Sequence, residues 1–90
     1  MMLPSLCPSC QSQFKVKNLN CPNCGTEVSG VYDFPLLVRL PQDDQMFILK
    51  FVKCSGSLKD MAKQLNLSYP TVRNMLDEII VKIKKNENNE

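Results

Sequence analysis

The chain has no histidine, only three glycines, and no long apolar run. Without histidine it lacks the Cys/His or Ser/His pair of a conventional nucleophilic site. Catalysis by Asp, Glu or Lys alone stays open, but no marked pair of carboxylates indicates it, and we expect no enzyme. No segment approaches the roughly 20 apolar residues of a membrane-spanning helix. The start also lacks the features of a signal peptide, so we expect a cytoplasmic protein with no membrane partner.

A strong net charge is also absent. The formal charge is only +2, and the charged residues are spread along the whole sequence. This distribution excludes a polybasic arm that binds nucleic acid by charge alone. A length of 90 residues with 43% apolar content fits one small domain or two very small ones.

The composition changes near residue 40. The first forty residues hold four of the five cysteines, two of the three glycines and four of the six prolines. Such a composition is typical of a turn-rich module held together by a metal. From Pro41 onward the apolar residues follow helical spacing, and the first helix is expected to begin at Gln42 and end at Gly56.

Two CPxC pairs, Cys7–Cys10 and Cys21–Cys24, lie in the first half with ten residues between them. Two residues between cysteines allow a tight turn that brings both sulfurs near one point, and four thiolates suit a tetrahedral zinc ion. The intervening segment predicts a hairpin in which residues 13–16 run out, residues 17–18 turn and Leu19 leads back. Together these features resemble a zinc ribbon.

Four protein ligands leave no position for water, so we predict one structural Zn²⁺ per chain, held by Cys7, Cys10, Cys21 and Cys24. A module of about thirty residues needs such support, because it lies below the roughly 40 residues at which a core alone suffices. The alternatives are two disulfides, a thioredoxin-like redox pair and an iron centre. A reducing cytosol and the missing βαβ context argue against the first two, and zinc is favoured over iron.

The second half predicts two further helices joined by a short turn. Ser57 is expected to cap a helix over Leu58–Leu65, and Asn66 tolerates the left-handed geometry of a tight turn. Ser68 is expected to cap the third helix. Pro70 then stands in the first turn, where an amide has no partner inside the helix to lose.

The apolar spacing of this segment is that of a helix-turn-helix. The small residue Ala62 falls where two helices cross closely, and the expected core positions hold Met61, Leu65, Leu67, Val72 and Met75. An ordinary helical hairpin would need the same core, so it remains the alternative.

In a helix-turn-helix the N-terminal half of the third helix enters the major groove. Arg73 suits bidentate contact to guanine and Asn74 suits adenine. The lysines of the second helix suit phosphate contact, although a solvated face is their alternative. The predicted DNA-contacting residues are Ser57, Lys59, Lys63, Ser68, Tyr69, Thr71, Arg73 and Asn74.

The third helix is longer than a minimal motif needs and carries a wide apolar stripe. We predict that part of this stripe forms a homodimer, because a weakly charged monomer makes few phosphate contacts. The predicted dimer interface is Leu76, Ile79, Ile80 and Ile83. The alternative is that the ribbon or the apolar linker covers the stripe.

Cys54, the fifth cysteine, is expected to be a half-buried structural residue, with a redox-sensing thiol as the alternative.

The whole pattern resembles a small bacterial family of unknown function that joins an N-terminal four-cysteine zinc ribbon to a C-terminal helix-turn-helix. The residues that carry the resemblance are CPSC, CPNCGTE, an apolar linker ending in Leu-Pro, and GSLKDMAKQLNLSYPTVRN. The last segment is also similar to the helix-turn-helix of sigma-factor region four and of Fis-type activators. The resemblance implies a DNA-binding regulator.

We therefore expect a small α+β protein whose N-terminal zinc ribbon of β-hairpins precedes an all-α, three-helix helix-turn-helix domain. The expected divisions are a ribbon over 1–34, an apolar linker over 35–41, the helical domain over 42–85 and a disordered tail over 86–90. The expected function is transcriptional regulation by a dimer bound to double-stranded DNA. The alternatives are an adaptor for a protein such as RNA polymerase and, more weakly, a metal or thiol sensor.

Overall fold

The computed structural model describes residues 3–88 and divides the chain into two compact units between Arg39 and Leu40. The elements in chain order are β1 (Lys15–Asn20), β2 (Glu27–Asp33), a short 3-10 helix (Leu36–Arg39), α1 (Gln42–Lys53), α2 (Leu58–Leu65) and α3 (Tyr69–Asn88). A two-stranded antiparallel hairpin followed by three helices confirms the predicted α+β fold class.

The hairpin turns at a different place from the one predicted. Strand β1 continues through residues 17–18 and pairs with β2 from Lys15–Asp33 to Asn20–Glu27. The pairing register shifts between Val16 and Asn18. The predicted turn at 17–18 is therefore wrong, and the loop is residues 21–26. The left-handed residue of this loop is Gly25, with φ of 77°.

The first unit buries little apolar surface. Within its described residues only Phe34 is buried, at 5% exposure, whereas Val31 on β2 is 76% exposed. An isolated two-stranded hairpin is marginally stable in water. The ribbon therefore depends on constraints other than a hydrophobic core.

The second unit has a continuous apolar core. Leu40, Met61 and Val72 are fully buried, and Cys54 lies in the same cluster at 9% exposure, so it is buried where a half-buried cysteine was expected. The cluster comprises Leu40, Phe47, Cys54, Leu58, Met61, Ala62, Val72 and Ile79, and partly buried residues pack around it. Residue 40, placed in the predicted linker, thus belongs to the helical core.

The predicted dimer interface lies largely against this core. Ile79 is 3% exposed and belongs to the cluster, so its assignment to an interface is wrong. Leu76 and Ile83 are half-buried and pack against the cluster, and Ile80 is half-buried. Helix α1 also contacts α3, because Lys82 Nζ donates to Asp44 Oδ2 at 2.7 Å.

Helix α3 extends further than the predicted domain end at residue 85. Its 20 residues include 86–88, which are helical where a disordered tail was expected, and residues 89–90 lie outside the described part of the chain. No glycine or proline follows Pro70 to end the helix. Across residues 3–88 no helix is both long and apolar enough to span a membrane.

Replacement of Met61 by alanine tests the core. Met61 is fully buried in α2, so we expect Met61→Ala to lower the free energy of unfolding by about 2–5 kcal/mol. The matched control is Met46→Ala on α1, where the side chain is 55% exposed and the loss should stay within about 0.5 kcal/mol. Urea denaturation followed by circular dichroism measures both, and equal losses would contradict the assigned core.

Candidate metal centre and nucleic-acid interface

The first cysteine pair lies in a tight, hydrogen-bonded turn. The amide of Gln11 donates to the Cys7 carbonyl at 2.7 Å, and the amide of Cys7 donates to the Ser12 carbonyl at 2.9 Å. Gln11 adopts the left-handed conformation with φ of 62°. An isolated antiparallel bridge between Leu6 and Gln13 closes the turn.

The second pair lies in a turn built in the same way. The amide of Gly25 donates to the Cys21 carbonyl at 2.8 Å, and the amide of Cys21 donates to the Thr26 carbonyl at 2.8 Å. Gly25 occupies the left-handed position that Gln11 occupies in the first turn. The two cysteine turns therefore share one backbone design, although only the second has the glycine that this conformation favours.

Each turn also brings a hydroxyl group to its second cysteine. Cys10 Sγ donates to Ser12 Oγ at 3.3 Å, and Cys24 Sγ lies 3.0 Å from Thr26 Oγ1. Each hydroxyl can also donate to the ionised sulfur, and this is the main cause that lowers the pKa of the Cys10 and Cys24 thiols below the ordinary value. A lowered pKa favours the thiolate, which is the form that binds a metal.

Sequence reasoning did not identify Ser12 and Thr26 as part of the site. A signal was present, because a hydroxyl residue follows the second cysteine of each pair at the same spacing. The signal becomes meaningful only when the turn curls the chain back and places the hydroxyl beside the sulfur.

The four thiols form a chemically suitable donor set for zinc, since soft thiolates are its preferred ligands. The structure arranges them as two close pairs, with Cys7 and Cys21 half-buried and Cys10 and Cys24 exposed. Within residues 3–88, no three or more Cys, Asp or Glu side chains form a group arranged to hold a metal. The structure therefore brings the thiols close in two pairs and does not bring the four of them into one group.

The second candidate site is the corner between α2 and α3. Ser57 Oγ accepts from the Asp60 amide at 3.2 Å and caps α2, while Asn66 ends α2 in the left-handed conformation with φ of 57°. Both features were predicted. Leu67 is 43% exposed, so its prediction as a core residue is wrong. Met61 and Val72, both fully buried, already lie in the core that α2 and α3 share.

The start of α3 confirms the expected cap. Ser68 Oγ accepts from the Thr71 amide at 3.3 Å and lies 2.7 Å from Thr71 Oγ1. Pro70 is the second residue of the helix, where its missing amide costs no hydrogen bond. The hydroxyl groups of Ser68 and Thr71 thus have a structural role, in addition to the DNA contact predicted for them.

The structure exposes nearly all of the predicted DNA-contacting residues. Ser57 is the exception, because it is half-buried where it caps α2. Arg73 forms an ion pair with Asp77 one turn further along α3. The exposed members are Lys59, Lys63, Ser68, Tyr69, Thr71, Arg73 and Asn74. Exposure meets the first requirement for DNA contact, and the contacts themselves stay predictions.

Two family models match the chain in the order of its two halves. The model described as DUF2089 zinc ribbon matches residues 7–37. The model described as Domain of unknown function (DUF2089)-HTH, where HTH denotes helix-turn-helix, matches residues 40–86. The chain belongs to the DUF2089 family. No curated protein and no solved structure matches it.

Membership of the DUF2089 family confirms the expected resemblance and the architecture of a zinc ribbon followed by a helix-turn-helix. A ribbon match over two close cysteine pairs indicates zinc binding, and a helix-turn-helix indicates nucleic-acid binding. The descriptions of the two family models name no more specific function than zinc binding and nucleic-acid binding.

Metal analysis tests the cysteine site. We expect about one zinc per chain in freshly purified protein, because four thiolates complete a closed tetrahedral site. Cys24→Ser should lose the zinc and the ordered amide signals of β1 and β2. The control is Cys54→Ala, which removes a thiol from the helical core and should retain the zinc. Full zinc retention in Cys24→Ser would contradict the assigned ligand set.

Proposed function

We propose that this DUF2089 protein is a non-catalytic transcriptional regulator that binds double-stranded DNA through the N-terminal half of α3. The observation that supports this proposal is the orientation of α3 at the corner. Val72 is fully buried against the core, while Tyr69, Arg73 and Asn74 are exposed on the same two turns. Val72 thus anchors α3 to the core, and Arg73 and Asn74 point away from Val72. These two side chains form the polar face that would contact bases, called the reading edge below.

The chemistry of the exposed side chains suits the major groove. A guanidinium can donate two hydrogen bonds to guanine, and an asparagine amide can both donate to and accept from adenine. Arg73 and Asn74 are adjacent, so they would contact neighbouring base edges. Lys59 and Lys63, exposed on α2, suit phosphate contacts that set the register of the helix.

In this proposal Cys7, Cys10, Cys21 and Cys24 hold a structural Zn²⁺ that stabilises the ribbon. Metal binding can supply on the order of 10 kcal/mol to the folding of a small module. The first unit needs that contribution because Phe34 is the one buried side chain among its described residues. A closed four-cysteine site has no open position for water, so the metal has no catalytic role.

We also propose that the protein acts as a dimer on DNA in the cytoplasm. The formal charge of +2 gives weak attraction to phosphate, and four thiolates with one Zn²⁺ would offset it. Two copies would double the number of phosphate contacts. Because Ile79 is buried in the core, the contact between copies would use the half-buried Leu76, Ile80 and Ile83.

The hairpin favours a second candidate function, that of a protein adaptor for a partner such as RNA polymerase. Four apolar side chains of β1 and β2 are at least 45% exposed, namely Leu19, Val28, Val31 and Tyr32. Exposed apolar surface of this kind can mark a site of protein interaction. An adaptor of this type would not need sequence-specific DNA contacts.

Selection from a pool of random duplexes separates the two functions. We expect the protein to enrich a defined sequence at low salt, because Arg73 and Asn74 are placed to read bases. Arg73→Ala should abolish the enrichment and change the free energy of unfolding by no more than about 0.5 kcal/mol, as for a surface residue.

The matched control is Lys84→Ala, which removes the same charge from an exposed position near the other end of α3. It should weaken binding to all duplexes slightly and leave the enriched sequence unchanged. Failure of the native protein to enrich any sequence would overturn the regulator and favour the adaptor.

Sedimentation of the protein on its enriched duplex tests the dimer. We expect two chains per duplex. The fraction of duplex bound should depend sigmoidally on protein concentration, because the two copies contact one another. Ile80→Asp, which places a charge on the proposed contact, should reduce the complex to one chain. A native complex with one chain per duplex would contradict the dimer and leave the DNA-binding proposal intact.

A further inference from the structure

Arg73, the residue proposed to read guanine, is paired within its own helix. Its Nε lies 3.5 Å from Oδ1 of Asp77, one turn further along α3. Both side chains are about half exposed, at 54% and 53%. The carboxylate therefore lies on the surface that the proposed function turns towards DNA.

The stability of the helix does not account for this pair. An acidic residue that precedes a basic one by four positions stabilises a helix better than the reverse order, and here the basic residue comes first. Asp77 also lies in the middle of α3, away from the N-terminal turn where the helix dipole favours a carboxylate. An exposed pair in this order adds little stability.

Asp77 would lower the affinity for DNA, because a carboxylate beside the reading edge repels phosphate. A protein with a formal charge of only +2 is attracted only weakly to the phosphates of DNA. The repulsion would be offset if the Asp77 carboxylate improved the discrimination between bases.

The geometry of the contact indicates such a function. Side chains of a helix lean towards its N-terminus, so the Asp77 carboxylate leans over the turn that carries Arg73. The contact engages Nε of the guanidinium, and the four N–H groups on the two terminal nitrogens can face outward. Those terminal groups can donate the two parallel hydrogen bonds that guanine O6 and N7 accept.

We propose that Asp77 is a positioning residue that holds the Arg73 guanidinium in the orientation for reading guanine in the major groove. The inference rests on the proposed DNA-binding function and adds a specificity-determining residue to it. Asp77 lowers the affinity for DNA of any sequence and raises the preference for guanine at one position. An unrestrained Arg73 would contact phosphates and other bases more readily.

The test compares binding of the full-length protein to its enriched duplex and to duplexes in which the Arg73-dependent guanine is replaced. Asp77→Ala should lower this discrimination by about three- to tenfold, part of the roughly 5- to 150-fold that a bidentate contact supplies. The same variant should bind non-specific duplex more tightly, because a repelling charge is gone. Asp77→Glu retains the carboxylate and should restore most of the discrimination.

Glu78→Ala is the matched control, because it removes the same charge from the adjacent exposed position of α3. It should tighten non-specific binding as Asp77→Ala does and leave the guanine preference unchanged. In the Arg73→Ala background, Asp77→Ala should have no effect on base preference, since no guanidinium remains to be oriented. Circular dichroism of each variant verifies that α3 is intact.

Three results would overturn the inference while the DNA-binding function stands. The first is an unchanged guanine preference in Asp77→Ala, and the second is an equal loss of preference in Glu78→Ala. The third is an effect of Asp77→Ala that persists without Arg73, which would mean that Asp77 contacts a base itself. A native protein that prefers no sequence would overturn the proposed function and this inference together.

Discussion

The close packing of α2 against α3 is the constraint on which the proposed DNA-contacting face depends. Met61 and Val72 are fully buried in one cluster, and Ala62 supplies the small side chain that lets two helices approach. A helix can bury only one side at such a crossing. Once Val72 turns inward, Arg73 and Asn74 must turn outward. The position of the proposed reading edge is thus a consequence of core packing.

The ribbon is not stabilised by a hydrophobic core as the helical unit is. Its strands bury little, and its order comes from repeated backbone hydrogen bonds around the two cysteine turns. Each turn uses a left-handed residue, Gln11 or Gly25, to curl the chain back, and each places a hydroxyl beside a sulfur. A metal could join two such turns because both present the same kind of ligand. The chain therefore combines a helical unit that can rely on its core with a hairpin that cannot.

The accuracy of the sequence-based predictions follows the range of the interactions involved. Ser57, Asn66 and Ser68 were predicted correctly because caps and left-handed turns depend on residues within one helical turn. The hairpin turn was placed wrongly at residues 17–18 because strand pairing depends on a second strand, whose residues lie between seven positions (Asn20–Glu27) and eighteen positions (Lys15–Asp33) away along the chain. Leu67 and Ile79 were misassigned for a related reason. A periodic pattern identifies apolar positions, but it does not say which neighbouring element covers each one.

Composition and local capping chemistry are sufficient to predict the two-part architecture, the cysteine pairs and the start and end of α2. Packing of the whole helical unit was needed to show that Ile79 is core and that Leu67 is exposed. A periodic pattern does not say which side of a helix the core covers. The contacts of Ser12 and Thr26 with the thiols and of Asp77 with Arg73 span only two to four residues, so they follow from the local geometry of the cysteine turns and of α3.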